Sequence, residues 1–298
     1  MITAKEAGFL LLSSKLGNPE RKVLSTAQLR TMGQRAKLMP APEAERELEA
    51  GDLVSLGYSR ETAERIVALL AEEDLLKHYL RRGERMGCVP LSRVSEAYPE
   101  ILKQQLTLEA PGCIWAKGDL SILDNPMIAL VGSRDIGPEN KAFAAEVGRQ
   151  AALQGYTLVS GNARGADRTA QSACLKAGGR VVSIVADSLA QKTVQSRVLY
   201  LSEEDFDEEF SSQRALRRNR IIHALAEKTF VAQCNYGFGG TWDGTKKNLQ
   251  HGWSPVFCFA DGSEASLQLY HMGANVISME QLQDFKALEI PEKSLFDM

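Results

Sequence analysis

The sequence predicts an α/β protein in which a helix-covered parallel sheet follows a small helical domain. From about residue 125, short apolar runs alternate with stretches of helical periodicity, a pattern typical of a parallel sheet with helices on both faces. Earlier in the chain, apolar positions recur at helical spacing behind capping residues. We therefore expect a helical domain over residues 1–108, a sheet-containing domain over 109–285 and a tail over 286–298.

The helical domain begins at Thr3, which has Glu6 at the spacing of a capping box. A later helix begins after Ser59 and carries Ala63 and Ile66 on one face. Residues 53–59 resemble half of a helix-hairpin-helix, although serine stands in place of its second glycine. Two interpretations stay open: a SAM-like or helix-hairpin-helix-like domain, or a plain helical bundle that packs on the main domain.

In the second domain, each predicted strand leads into a turn and then a helix. Pro138 suits the first turn of the first helix, and Gly178 with Gly179 ends the next one. Because right-handed crossovers place all strand-to-helix turns at one edge of the sheet, we expect these turns to lie together. Predicted strands span residues 128–131, 156–160, 181–186, 229–234, 256–260 and 275–278, and later helices span 166–177, 215–226 and 245–250.

Composition excludes several classes of protein. The net charge of −3 argues against a protein that coats DNA over its whole surface, although it is compatible with a local basic groove. The sequence has no membrane-spanning apolar run and no signal-peptide core, so we expect a cytoplasmic protein without a membrane partner. The five cysteines are scattered, and we expect no disulfide, metal ion, cofactor or catalytic group.

Two turns carry small residues and an arginine directly after predicted strands. The first contains Gly132, Ser133 and Arg134, and the second contains Ser160, Gly161, Ala163, Arg164, Gly165 and Asp167. Small residues let a phosphate approach the N–H groups of a helix start, and an arginine adds a planar charged fork. On neighbouring strands, the two turns would form one phosphate site. Asp167 would cap the helix or hold Arg164 in position.

A third glycine-rich turn follows the fourth predicted strand. Its Gly239, Gly240 and Thr241 suit an anion at the start of the next helix. Two interpretations stay open for Phe238 and Trp242, which either stack on bases or pack against the neighbouring helix. The sequence matches neither the dinucleotide-binding glycine pattern nor a Walker-type phosphate loop.

The sequence has one strong charge contrast. An acidic block over residues 203–209 is followed at once by Arg214, Arg217, Arg218 and Arg220. Such a charge run is usually a solvated loop with an exposed helix face. The arginines would gain a binding role if the fold placed them beside the glycine-rich turns.

Six short motifs, in the same order along the chain, resemble the DNA-processing protein A (DprA/Smf) family. They lie at residues 98–102, 114–120, 128–134, 160–167, 218–222 and 273–274, and the resemblance covers about residues 50–280. Each motif is short, but the ordered set is specific. The chain departs from the family at Gln171, where a histidine is usual, and we expect a divergent member without the C-terminal winged helix of many members.

The resemblance implies an extended Rossmann-like domain behind the small helical domain. It also implies binding of single-stranded DNA through backbone phosphates, delivery of that DNA to the RecA recombinase during natural transformation and recombination, and a homodimer. By the same resemblance, phosphate contacts would come from the first two turns and from Arg218, Asn219 and Arg220.

The competing function is a nucleotide-binding sensor or a phosphoribohydrolase-like enzyme of the same wider fold group. Gly239, Gly240 and Thr241 before a helix look like the phosphate turn of those hydrolases. Their catalytic pair is an arginine and a glutamate, and residues 245–248 provide no glutamate. We therefore expect a DNA-binding protein rather than an enzyme.

Overall fold

The structure is a computed structural model that describes residues 2–37 and 47–288. In these ranges, one sheet contains nine strands, which lie in the order β1-β2-β6-β5-β4-β3-β7-β8-β9. The strands are β1 Val89–Ser92, β2 Cys113–Lys117, β3 Met127–Val131, β4 Thr157–Ser160, β5 Arg180–Ile184, β6 Val198–Ser202, β7 Lys228–Val231, β8 Val256–Phe259 and β9 Asn275–Ile277.

The predicted parallel sheet is confirmed, because β3 to β9 run parallel to one another. It includes one strand, β6, that was not predicted from the sequence. The antiparallel strands β1 and β2 extend it beyond β6. Strand β1 lies inside the segment that was expected to be helical, so the sheet reaches further toward the N-terminus than the domain boundary predicted near residue 108. That boundary stays a prediction. Residues 286–288 of the predicted tail are described, and residues 289–298 lie outside the described ranges.

The direction of the chain across the sheet reverses at β3. Strand β4 lies on one side of it and β7, which comes much later in the sequence, lies on the other. In open α/β sheets, a crevice forms at such a reversal beyond the carboxyl ends of the strands. The first glycine-rich turn, which follows β3 directly, therefore opens onto this crevice.

Helices cover both faces of the sheet. Alternate residues of β3 belong to different cores. Ile128 and Leu130 pack with Phe143 of α7 (Pro138–Leu153), whereas Ala129 and Val131 pack with Ile221 of α9 (Ser212–Ala224). The described helices are α1 Ala4–Ser13, α2 Thr26–Ala36, α3 Ala50–Ser55, α4 Arg60–Leu70, α5 Glu73–Arg85, α6 Glu100–Leu106, α7 Pro138–Leu153, α8 Ala166–Lys176, α9 Ser212–Ala224, α10 Gly240–His251 and α11 Glu264–His271.

Several local predictions are confirmed at the ends of these helices. Thr3 and Glu6 form the predicted capping box of α1, and Pro138 occupies the first turn of α7.

All five cysteines are buried free thiols. Among the described helices, none is both long enough and apolar enough to cross a membrane.

The acidic loop after β6 connects the sheet to the N-terminal helices. The Asp205 carboxylate accepts hydrogen bonds from the Ser14 hydroxyl at 3.0 Å and from the Gly17 N–H at 2.8 Å. Asp207 forms an ion pair with Arg82 at 2.6 Å. Asp205 and Asp207 of the acidic block therefore form structural contacts with the helical segment and are not part of a solvated loop.

Candidate functional site

The turns after β3 and β4 pack directly against each other. These two strands are parallel neighbours in the sheet. Gly165 has a φ of +81°, and a Cβ there would lie 2.3 Å from the Arg134 carbonyl oxygen. A Cβ at Gly132 would lie 2.4 Å from the Cβ of Ala166, whose N–H donates to the Ser133 carbonyl at 3.2 Å. The close approach requires both glycines, and the two turns form one continuous surface.

Asp167 holds the backbone of the second turn. Its carboxylate accepts hydrogen bonds from the N–H groups of Gly161 and Ala163, each at 3.1 Å. Burial raises the pKa of this carboxyl, because a charged carboxylate loses its hydration there. Asp167 is not the helix cap that was one predicted role, since Gly165 occupies the capping position of α8.

The remaining polar side chains of the second turn divide between the interior and the surface. Ser160 is buried, and its hydroxyl accepts a hydrogen bond from Gln171 Nε2 at 2.5 Å. Arg164 is exposed and pairs with Asp135 of the first turn at 3.0 Å. Gln171 therefore supports the turn from within α8, and Asp135, rather than Asp167, is the partner of Arg164.

Arg218 of α9 is a buried arginine with unused hydrogen-bond donors. It is 7% exposed, and its Nε and Nη1 have no hydrogen-bond partner among the described residues. Its guanidinium lies over Gly161, where a Cβ would be 1.9 Å from Nη1. Burial lowers the pKa of this group, and the charge of Asp167 opposes that shift. Burying a cation without hydrogen-bond partners is costly, so this position suits an anionic ligand.

The third turn begins α10 earlier than predicted. The helix starts at Gly240, after Gly239 with a φ of +92°, rather than near residue 245. Asn219 of α9 supports this start, because its Nδ2 donates to the Gly240 carbonyl at 3.0 Å. The first N–H groups of a helix have no partner within the helix and carry the positive end of its dipole. Thr241 lies in this first turn.

These parts enclose a cleft of about 360 Å³ at the carboxyl ends of β3 and β7, which we name the β3–β7 cleft. The predicted site residues that line it are Gly132, Ser133, Arg134, Ala163, Asp167, Arg218, Asn219, Gly239, Gly240 and Thr241. The predicted residues that do not line it are Ser160, Gly161, Arg164, Gly165 and Arg220.

The two aromatic side chains of the third turn have different surroundings. Phe238 lines the β3–β7 cleft and is 65% exposed. Trp242 is buried and packs edge-to-face on Tyr236, with ring centroids 5.1 Å apart. Trp242 therefore follows the packing interpretation, and Phe238 is the aromatic that a ligand can reach.

Sequence analysis missed His223 as a cleft residue. It lies one helical turn after Asn219, a spacing that places both on one face of α9 and could have revealed it. His223 Nδ1 lies 3.3 Å from Thr229 Oγ1, which is 2.7 Å from Ser254 Oγ. Burial lowers the pKa of His223 to about 3, so the ring is neutral at pH 7.

The chemistry of the cleft favours binding an anion over acid–base catalysis. Among the described residues that line it, Asp167 is the one carboxylate, and two backbone N–H groups already occupy it. His223 is neutral and bonded to the fold. Over residues 2–37 and 47–288, no group of three or more His, Cys, Asp or Glu side chains could hold a metal ion.

The other arginines of α9 face the acidic block. Arg217 and Arg220 line a second groove of about 1060 Å³ between α9, α10 and the N-terminal helices, which we name the N-terminal groove. Glu203, whose side chain is only 2% exposed, lies 2.6 Å from Arg220. Of the four arginines that follow the acidic block, which are Arg214, Arg217, Arg218 and Arg220, Arg218 alone lines the β3–β7 cleft. The pairs are Arg214 with Glu208, Arg217 with Glu204, and Arg220 with Glu203.

Comparison with known protein families gives a match over most of the sheet-containing region. The model of the family described as DNA recombination-mediator protein A matches residues 90–286. The DNA processing protein DprA of Bacillus subtilis is 29% identical over 164 residues, which cover 51% of this chain and 54% of that protein. That of Streptococcus pneumoniae is 30% identical over 158 residues, which cover 50% and 55%. The match thus spans about half the length of these relatives.

Solved structures share the fold. The X-ray structure of DNA processing protein A from Streptococcus pneumoniae has a TM-score of 0.63 at 21% identity, covering 87% of this chain and 96% of that one. DNA processing protein A from Helicobacter pylori, whose structure was described for its single-stranded DNA binding mode, has a TM-score of 0.55 at 23% identity. That likeness covers 66% of this chain and 93% of the other.

Proposed function

The chain belongs to the DNA recombination-mediator protein A family, and on this premise we propose that it binds single-stranded DNA through backbone phosphates in the β3–β7 cleft. Such binding needs no base-specific contact, because a basic groove with a stacking surface holds a strand of any sequence. In this proposal the protein presents the strand to a recombinase and carries out no chemical step itself.

The observation that carries the proposal is the buried guanidinium of Arg218. Its Nε and Nη1 are unpartnered among the described residues, and the side chain lines the cleft. Arginine donates strong, planar hydrogen bonds to phosphate, and a phosphate here would compensate the cost of burying the cation. The Asp167 carboxylate accepts hydrogen bonds from the N–H groups of Gly161 and Ala163 rather than from Arg218 Nε or Nη1, and His223 is neutral.

Three groups of residues complete the proposed phosphate site. Gly239, Gly240 and Thr241 provide the positive end of α10. Ser133 and Arg134, with Gly132 behind them, supply contacts at the start of the neighbouring turn. The remaining predicted residues act by position: Ser160, Gly161, Ala163, Gly165 and Asp167 shape the second turn, Asn219 holds α10, and Arg164 and Arg220 pair with acids.

Phe238 is the proposed stacking surface. It is exposed at the cleft, and the chain on either side of it carries glycines with positive φ, Gly237 and Gly239. A base next to a bound phosphate would stack on this ring, and stacking tolerates any base because every base has a π face. The arrangement supports binding without sequence preference.

Family membership supports the wider role. In this proposal the protein works in the cytoplasm, as a homodimer, and delivers single-stranded DNA to a RecA-type recombinase during recombination. Sedimentation velocity tests the homodimer. Assembly of recombinase filaments on a coated single strand, with and without this protein, tests delivery.

The central experiment is fluorescence anisotropy of a labelled oligo(dT) of roughly 20 nucleotides over a salt series. A matched duplex and a mononucleotide serve as competitors. We expect Arg218→Gln to weaken binding about 10- to 100-fold and to flatten the salt slope by about 0.7. The control is Arg217→Ala, which removes the same charge from the other face of α9. Equal binding by wild type and Arg218→Gln would rule out the cleft as the DNA site.

A mononucleotide is the second candidate ligand, because the cleft volume of about 360 Å³ lies at the small-molecule end of the range for ligand pockets. A mononucleotide that displaces the oligonucleotide at low concentration would favour a nucleotide sensor. Hydrolysis is less well supported, since the one carboxylate among the described cleft residues is engaged by the backbone.

A further inference from the structure

We propose that the groove between α7 and α8 is a second DNA-binding surface, which carries the single strand onward from the β3–β7 cleft. The inference rests on the proposed function and extends it to residues on a different part of the surface. The occupant is the continuation of the same strand, held by its phosphates.

The groove is continuous with the β3–β7 cleft. Arg134 lines both, so a strand that passes this side chain leaves one and enters the other. The groove has a volume of about 880 Å³. Lys141 of α7 lines one wall, and Arg168 and Lys176 of α8 line the other.

The charge of the groove is one-sided. Asp135 is the one carboxylate among its described lining residues, and Arg164 already pairs with it at 3.0 Å. The cations that line the groove are exposed and form no ion pair with any residue of the described chain; they are Arg134, Lys141, Arg168 and Lys176. In a chain with a net charge of −3, a basic strip without neutralising partners is a specific feature that suits a polyanion.

Helix α8 presents its polar side chains along a line. Arg168, Ser172 and Lys176 recur every four residues and therefore lie on one face. The helix rises about 12 Å between Arg168 and Lys176. Ser172 and Thr169 also line the groove. Serine and threonine hydroxyls commonly donate hydrogen bonds to phosphate oxygens in protein–DNA contacts. The face thus offers charge at both ends and hydroxyl donors between them.

The charges of the N-terminal groove make it the less favourable of the two paths by which a strand could leave the β3–β7 cleft. It also adjoins the β3–β7 cleft, because Leu216, Asn219 and Gly240 line both. Its lining carries many carboxylates, however: Glu109, Glu203, Glu204, Asp205, Glu208 and Asp243. These carboxylates offset the cations of that groove, which are Lys15, Arg217, Arg220, Lys246 and Lys247. On the α7–α8 side the one carboxylate among the described lining residues is Asp135, which already pairs with Arg164, so a polyanion that leaves the cleft there meets a net positive charge.

The test compares short and long strands. Oligo(dT) of about 4 and about 16 nucleotides is titrated by calorimetry over a salt series. The groove variant combines Lys141→Ala, Arg168→Ala and Lys176→Ala. The matched control combines Lys5→Ala, Arg81→Ala and Lys286→Ala, which remove the same charge from exposed positions outside both grooves and the cleft. Thermal unfolding confirms that both variants fold.

We expect the groove variant to bind the long strand at least about tenfold more weakly, with a salt slope lower by about 2, and the short strand as wild type does. The control variant keeps most of the long-strand affinity. Equal effects of the groove and control variants on the long strand would overturn the proposal, and so would an equal loss for short and long strands in the groove variant. Arg218→Gln separates the two proposals: if it binds both strands as wild type does, the cleft itself is wrong.

Discussion

The two faces of α9 bury arginines in opposite ways. On one face, Arg220 meets the buried Glu203 carboxylate at 2.6 Å. On the other, Arg218 lies buried at the β3–β7 cleft with Nε and Nη1 unpartnered among the described residues. Two arginines separated by one residue in the sequence thus have different tasks. The neutralised arginine holds the fold, and the one with unused donors suits a ligand.

The largest expected effect comes from removing the ion pair between Arg220 and the buried Glu203. Arg220→Ala leaves Glu203 buried without its main partner, which costs about 3 kcal/mol of stability. The value lies at the low end for buried pairs because Arg217 Nε remains 3.6 Å from the same carboxylate. Urea unfolding measures the loss. DNA affinity of the folded protein stays unchanged, and a loss of affinity without a loss of stability would reverse the assignment of the two faces.

The second prediction concerns how stability depends on pH through His223, which is buried on the face of α9 that lines the β3–β7 cleft. Its folded-state pKa is about 3 and its ordinary value is 6.5, so below pH 6.5 the unfolded chain takes up a proton that the folded protein does not. Stability is therefore lost as the pH falls from about 6.5 to about 3, and His223 accounts for about 2 kcal/mol of the loss at pH 5. Urea unfolding at pH 7 and pH 5 measures the change. In His223→Gln, the difference in unfolding free energy between pH 7 and pH 5 should be smaller by about 2 kcal/mol. An undiminished pH dependence would contradict the buried neutral ring.

A smaller effect is expected from Gly161→Ala, which sharpens the role of Arg218. The new methyl group would lie 1.9 Å from Nη1, so the guanidinium has to move while the backbone stays in place. We expect about tenfold weaker binding of single-stranded DNA, because the displaced guanidinium loses roughly one charge-assisted hydrogen bond to phosphate. We expect little change in stability. Anisotropy measures the affinity. Gly8→Ala is the matched control, because a Cβ at that position meets nothing within 4 Å.

The smallest effect is expected from Arg217→Ala. Its side chain is 62% exposed and pairs with Glu204 at 3.3 Å, which makes it a surface ion pair. Such pairs contribute at most about 1 kcal/mol in most cases. Thermal unfolding and anisotropy should both resemble wild type. A clear loss of DNA affinity would mean that the strand crosses the acidic face of α9 after all.

The parallel part of the fold could be predicted from sequence because its signals are local. Strand β3 is an apolar run that ends at a glycine turn, and the same holds for β4. Strand β6 was not predicted, since its run over Val198–Ser202 leads into the acidic block rather than a glycine turn. Strand β1 was missed because it contains Pro90, and a proline within a short run argues against a strand.

The site could be predicted only where neighbouring strands bring turns together. That rule placed the turns of Gly132 and Gly161 side by side. It could not assign partners to the arginines, because each pairing depends on contacts between distant segments. Arg218 lies over Gly161, which is far away in the sequence, whereas Arg220 turns to Glu203. The spacing of α9 alone does not distinguish these outcomes.

The acidic loop after β6 has a consequence for how the protein unfolds. It binds the arginines of α9 through Glu203, Glu204 and Glu208, and the N-terminal helices through Asp205 and Asp207. Burial and the nearby Asp207 raise the pKa of Asp205, so this carboxylate depends on its hydrogen bonds to the helical segment. The helical segment and the helix that carries Arg218 are therefore coupled thermodynamically. The helical segment is therefore not a module that can be removed without loss of stability in the rest of the chain.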